Sequence, residues 1–109
     1  MTILVYLFIL SGVLISALSI PMITNKIPPN GLYGFRVKKT MEDPKIWYPV
    51  NAYSGKWLLA IGIVTILAAA GFYFIPGISI DVYAYVVLGV WVVVFSIAVY
   101  RSVRYMNSL

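Results

Sequence analysis

The sequence predicts an all-α membrane protein: three transmembrane helices, with a long cytoplasmic loop that contains a short amphipathic interfacial helix. Three observations predict it. Of 109 residues, 62% are hydrophobic and only 10% are charged, whereas about a quarter are charged in an ordinary water-soluble domain. Charged side chains are absent from Met1 to Asn25, from Trp57 to Ile75 and from Val82 to Tyr100, each close to or beyond the roughly 20 residues that carry a helix across a bilayer. All eight Lys and Arg lie between the first two stretches or after the third, and the short connection Pro76–Asp81 has none. The first loop and the C-terminal tail share a side in a three-span chain. The positive-inside rule therefore places both in the cytoplasm and the N-terminus outside, as expected for a multi-pass protein of the cell (plasma) membrane.

The elements follow in order as one membrane domain, residues 1–109. Helix one is predicted over 2–23. It lacks the basic n-region of a secretory signal and its apolar run is longer than a usual h-region, so it reads as a retained span. Pro21 lies near its inner end, and Pro28-Pro29 stops it from continuing. Gly12, Ser16 and Ser19 form a small-residue strip of the kind that lets helix backbones approach. Helix two, over 57–75, carries the matching set Gly62, Thr65 and Ala69. Helix three, over 82–100, carries Gly89 and Ser96, also read as packing residues. The turn 76–81 opens with Pro76-Gly77, and Ser79 or Asp81 can cap the helix that follows. Trp57, Tyr73, Tyr83, Tyr85, Tyr100 and Tyr105 fall near span ends and are expected to anchor at the membrane interfaces. A basic tail, 101–109, closes the chain.

The loop 24–56 is too long for a structureless connector in so small a domain. Ile27-Pro-Pro-Asn-Gly-Leu-Tyr-Gly34 is a run of turn signals that returns the chain to the membrane surface, with Leu32, Tyr33 and Phe35 available to dip into it. Thr40-Met-Glu-Asp-Pro44 reads as a helix start, with Thr40 or Asp43 capping and Pro44 at the first helical position. Ile46, Val50, Tyr53 and Trp57 then recur at helical spacing. They predict an amphipathic interfacial helix that bends into helix two at Pro49 or Gly55. On another stripe, Trp47, Asn51 and Gly55 stand at i, i+4 and i+8. Asn51 offers donors and acceptors, Gly55 permits close backbone approach, and Arg36 brings five fixed donors. Either Arg36 and Asn51 clamp the loop to the helix, or they surround an anionic or polar peptide ligand.

These residues carry a resemblance. Pro29-Asn30-Gly31-Leu32-Tyr33-Gly34-Phe35-Arg36, followed at fixed spacing by Thr40, Trp47, Asn51 and Gly55-Lys56, is similar to the motif of the SdpI family of bacterial membrane proteins, and the three-span plan resembles the family domain along nearly the whole chain. Val37 departs from the Thr that often follows the Arg in that family, and the namesake has a further N-terminal membrane module absent from this sequence. The resemblance implies toxin immunity, and in the namesake also the holding of a transcriptional repressor at the membrane when toxin is present. Gly34, Arg36, Thr40, Trp47, Asn51, Gly55 and Lys56 are then the candidate residues for a ligand or partner, or for a clamp, with Lys38 and Lys39 adding positive charge. A toxin arriving from outside would first meet the helix faces, and the motif would transmit or stabilise the resulting state.

Composition narrows the alternatives. With no Cys and no His, disulfides, thiolate chemistry and the commonest metal ligands are missing, and no cofactor or metal is expected. Glu42 and Asp43 suit the start of a helix better than paired acid–base chemistry. A Ser54–Lys56 nucleophile pair would need the loop to join them. No catalytic residue is assigned, and the chain is read as a non-enzyme. Uncharged spans argue against ion transport. The net charge of +5 suits anionic lipid head groups at the membrane surface rather than nucleic acid. Expected partners are the bilayer, a peptide toxin or membrane-recruited protein, and a second copy in a homo-oligomer. The alternative function is a small accessory subunit that stabilises a larger membrane complex.

Overall fold

A computed structural model describes residues 2–109, folded as four helices: α1 (Thr2–Ile23), α2 (Lys38–Glu42), α3 (Pro44–Tyr73) and α4 (Ile80–Asn107). Three of these, α1, α3 and α4, are long and apolar enough to cross a membrane. With 30 residues, α3 is about 45 Å long, well over the roughly 30 Å of a hydrocarbon core. It is also the central helix, with α1 packed along it, α4 packed less extensively, and α2 lying against its N-terminal part.

Local chemistry sets the helix ends. At the C-terminus of α1, Asn25 adopts φ 60°, Lys26 N–H donates to Pro21 O at 2.9 Å and Asn25 N–H to Met22 O at 3.3 Å. This is the paired-bond arrangement of a Schellman cap, for which Asn is the usual substitute when Gly is absent. Asp43 caps α3 by accepting from Lys45 N–H at 2.9 Å, and Pro44 follows as the first helical residue. Ser79, not Asp81, caps α4, accepting from Val82 N–H at 3.2 Å. Asp81 lies exposed in the first turn, where a negative charge complements the helix dipole. Gly77, at φ 75°, makes the turn between α3 and α4.

Helix association in lipid depends on close packing rather than on expelling water, and the small residues of α1 and α3 provide it. Gly12 and Gly62 oppose one another so closely that a Cβ on either would stand 2.7 Å from the other's carbonyl oxygen. Further along, a Cβ at Gly55 would meet Met22 Cβ at 2.9 Å and Ile23 Cγ1 at 3.0 Å. Ser19 of α1 and Thr65 and Ala69 of α3 are buried as well. At the end away from the loop, Tyr83 of α4 packs with Val5 and Val87. Its ring meets Phe8 edge-on at 6.0 Å, and its hydroxyl donates to Ala69 O at 2.7 Å.

Four sequence expectations are corrected here. The residues assigned to a separate interfacial helix are the first turns of α3, which continues through Pro49 and Gly55 instead of turning there. Pro49 costs the bond to Lys45 O, but Lys45 is exposed near the helix start, where water can take that acceptor. The predicted tail is likewise helical, since α4 continues to Asn107. Gly89 and Ser96 are exposed rather than packed; α4 instead buries Tyr83, Val87, Ala98, Ser102 and Met106. Finally, Tyr83 is a core residue bonded to a backbone carbonyl, not an interfacial anchor.

Candidate functional site

The loop after α1 is folded onto the N-terminal part of α3 by side chains that satisfy backbone groups. Asn30 organises it from within. Its Oδ1 accepts from Leu32 N–H at 2.8 Å and Tyr33 N–H at 2.7 Å, and its Nδ2 donates to Pro28 O at 2.8 Å and Tyr33 O at 3.0 Å. Asn is well suited to this because its side chain mimics a turn of backbone. Gly34 then carries the chain over α3 at φ 115°. A Cβ there would lie 2.6 Å from Asn51 Oδ1 and 3.2 Å from the Trp47 ring, so both conformation and space require glycine.

The anchor on α3 is Asn51, only 2% exposed. Its Oδ1 accepts from Phe35 N–H at 2.6 Å, and its Nδ2 donates to Trp47 O at 2.9 Å, with a longer contact to Phe35 O at 3.4 Å. One turn earlier, the fully buried Trp47 donates its indole N–H to Ile27 O at 2.8 Å. Thr40, also fully buried, accepts from Val37 N–H at 3.0 Å, with Phe35 O and Val37 O each 2.9 Å from its hydroxyl. Thr40 thus closes the start of α2, while Asp43 caps α3. Lys39 ties α2 to the end of α4, donating to Met106 O at 3.2 Å, where a cation also suits the negative end of the helix dipole. The deeply buried stripe of this part of α3 is Trp47, Val50, Asn51 and Gly55.

The predicted residues therefore divide into two sets. Gly34, Thr40, Trp47, Asn51 and Gly55 are buried or close-packed and hold the loop and the first helix against α3. Arg36 and Lys56 are exposed. Arg36 does not meet Asn51: among the described residues its one hydrogen bond is to Gly31 O within the loop. Ser54 does not pair with Lys56 either; its hydroxyl donates to Ser102 Oγ on α4 at 2.9 Å. Among the described residues, no three His, Cys, Asp or Glu side chains gather as metal ligands would.

Tyr33 and Phe35 turn inward and line a cavity of about 240 Å³ between α3 and α4, together with Met22, Ser54, Leu58 and Ser102. The Tyr33 hydroxyl itself is buried in protein without a hydrogen-bond partner. Burial raises its pKa above the usual phenol value, because the charged form loses hydration. Leu32, in contrast, is 93% exposed.

A model of the SdpI/YfhL protein family matches residues 26–102, well over half of the chain. The chain belongs to the SdpI/YfhL family. The matched span begins one residue past the Asn25 cap of α1 and takes in the loop, α2, α3 and α4 as far as Ser102, so it contains every residue of the clamp. It is a membrane protein of that family. No curated protein and no solved structure matches the chain.

Three contributors of this SdpI/YfhL protein are not evident from residue pattern alone. The role of Asn30 goes beyond a turn signal, and Asn after a proline and before Gly-x-x-Gly was the available clue. Ser102 finds its partner, Ser54, 48 positions away on another helix. Tyr33, an expected membrane-dipping ring, is distinctive for its unpaired hydroxyl, which depends on packing that no local pattern encodes.

Proposed function

We propose that this chain is a non-enzymatic immunity or signalling protein of the plasma membrane, which binds a peptide toxin or a protein partner at the bilayer. The observation that carries the reading is the division of labour in the loop: Asn51, Trp47 and Thr40 fix its backbone, while Arg36 and Lys38 remain exposed on it. A rigid loop presenting cations suits recognition, because little ordering entropy is lost on binding. Family membership adds the expectation of toxin immunity that the motif resemblance implies. The charge distribution supports a cytoplasmic loop and an external N-terminus. On that topology an external toxin is met by the helix faces, and the loop holds or reports the resulting state.

The test is deletion of the gene in its host followed by exposure to the host's own secreted peptides. Sensitivity relieved by the wild-type chain supports immunity; indifference in a strain that normally expresses the protein well refutes it. The alternative, an accessory subunit, rests on exposed Gly89 and Ser96, since the small residues of α1 are already committed to α3. A stoichiometric partner recovered in mild detergent, lost on Gly89→Leu and accompanied by no toxin phenotype, would favour that reading.

A further inference from the structure

We propose that α4 moves as one rigid lever against the α1–α3 pair, so that its release at the turn end is carried to α2 at the loop end. Such a movement is independent of whether a toxin is what the protein meets. The two seams of α3 differ. Against α1 it is locked backbone to backbone: beyond the close approach of Gly12, a Cβ at Gly62 would stand 2.9 Å from Ser16 N, and a seam so tight has no slack. The buried residues of α4 instead fall into two groups, Tyr83 and Val87 at the turn end and Ala98, Ser102 and Met106 at the loop end. None lies between Leu88 and Ile97. A cavity of about 330 Å³ beside Leu88 and Trp91, and the one of about 240 Å³ beside Phe95, leave this middle stretch loosely packed.

Side-chain ties close each group. At the turn end Tyr83 OH donates to Ala69 O at 2.7 Å. At the loop end Ser54 donates to Ser102 Oγ at 2.9 Å, Lys39 Nζ donates to Met106 O at 3.2 Å, and Tyr105 stacks on Tyr53 with centroids 4.4 Å apart. Ala69 O and Met106 O are carbonyls of helices, and Met106 O also accepts from Leu109 N–H at 3.2 Å. Releasing the side-chain donor therefore strands neither acceptor, and each tie is a reversible latch. The connection to α3 permits the movement: residues 73–77 are exposed, and Gly77, at φ 75°, has nothing within 4 Å of the position of a Cβ. No proline interrupts the 28 residues of α4, so the helix, about 42 Å long, carries a displacement along its length instead of kinking. The receiver is α2. Lys39 ties it to α4, and its neighbour Thr40 holds the loop backbone at Phe35 and Val37.

Thiol labelling tests the lever, because the chain has no Cys of its own. Met106 is 8% exposed, so a water-soluble maleimide reaches Met106→Cys in phosphatidylcholine nanodiscs only when α4 leaves its seat, and the rate reads the open population. Tyr83→Phe should speed this labelling about fivefold, as for loss of one hydrogen bond, although the substitution lies about 35 Å away along the helix. Tyr85→Phe, exposed at the same end, should leave the rate unchanged. Gly12→Ala, which strains the α1–α3 seam instead, should also leave it unchanged. An unchanged rate with Tyr83→Phe overturns the proposal, since the loop end then opens alone. An equal rise with Gly12→Ala overturns it too, since the bundle then loosens as a whole. If Met106→Cys does not fold, the near-isosteric Ser102→Cys, at a position 2% exposed, reports the same opening.

Discussion

Replacing Asn51 with Ala should open the loop without unfolding the helices. The substitution removes the acceptor of Phe35 N–H, which is held at 2.6 Å, and the donor to Trp47 O at 2.9 Å. Trp47 O lies inside α3 and keeps its helical partner, so its loss is small. Phe35 N–H has no alternative partner in the folded loop, and leaving such a group unsatisfied costs about 1–3 kcal/mol. That corresponds to roughly a five- to 150-fold change in an opening equilibrium. Hydrogen exchange read at the Phe35 amide in detergent or nanodiscs should therefore accelerate by a factor in that range, while amides in the Gly62 region of α3 keep their protection. Unchanged exchange at Phe35 in a folded Asn51→Ala protein would refute the clamp.

Gly34→Ala should open the same loop at least as far, because a Cβ there meets Asn51 Oδ1 at 2.6 Å and an unfavourable backbone region adds about 1–3 kcal/mol; exchange over the loop reads it. Gly62→Ala should lower thermal stability by about 1–3 kcal/mol by forcing α1 from α3, whereas Gly89→Ala, with nothing within 4 Å of its new Cβ, should be neutral or slightly stabilising; melting curves in one detergent compare them. Tyr33 predicts a pH effect. Its folded pKa is raised by burial above the ordinary 10.0, so its contribution to stability is fully present below the unfolded pKa and is lost as pH rises through the folded one. Tyr33→Phe should flatten that alkaline decline and, in lipid-free detergent, stabilise the protein by about 1 kcal/mol, since it deletes a buried hydroxyl without a partner.

Much of this architecture is legible in the sequence. The three charge-free stretches mark the spans, and Gly12, Ser16 and Gly62 meet in the seam that their spacing predicts, because close helix packing in lipid requires small side chains at regular intervals. Asp43-Pro44 marks the start of α3 for an equally local reason. The failures are tertiary. Pro49 and Gly55 look like breaks in isolation, yet Trp47 and Asn51 fasten this stretch beneath the loop and Gly55 packs on α1, and the helix continues through both. Gly89 and Ser96 have the spacing of a packing strip, but α4 contacts α3 through a different face. For the candidate site, the motif spacing identifies the clamp residues and leaves open which of them meet. Arg36 of the loop and Asn51 of α3 do not bond to each other, and only the fold of the Asn30 turn decides that Arg36 folds back on Gly31.

The most direct test of the account separates the residues that build the loop from the cation it presents. Arg36→Ala, at membrane abundance matched to wild type, should change stability by less than about 0.5 kcal/mol, as expected for an exposed side chain, and should keep Phe35 amide protection. Survival of the deletion host carrying this variant, measured during exposure to the host's secreted peptides, should nevertheless fall to that of the deletion alone. Full protection by Arg36→Ala would contradict the account, leaving the loop as scaffold only.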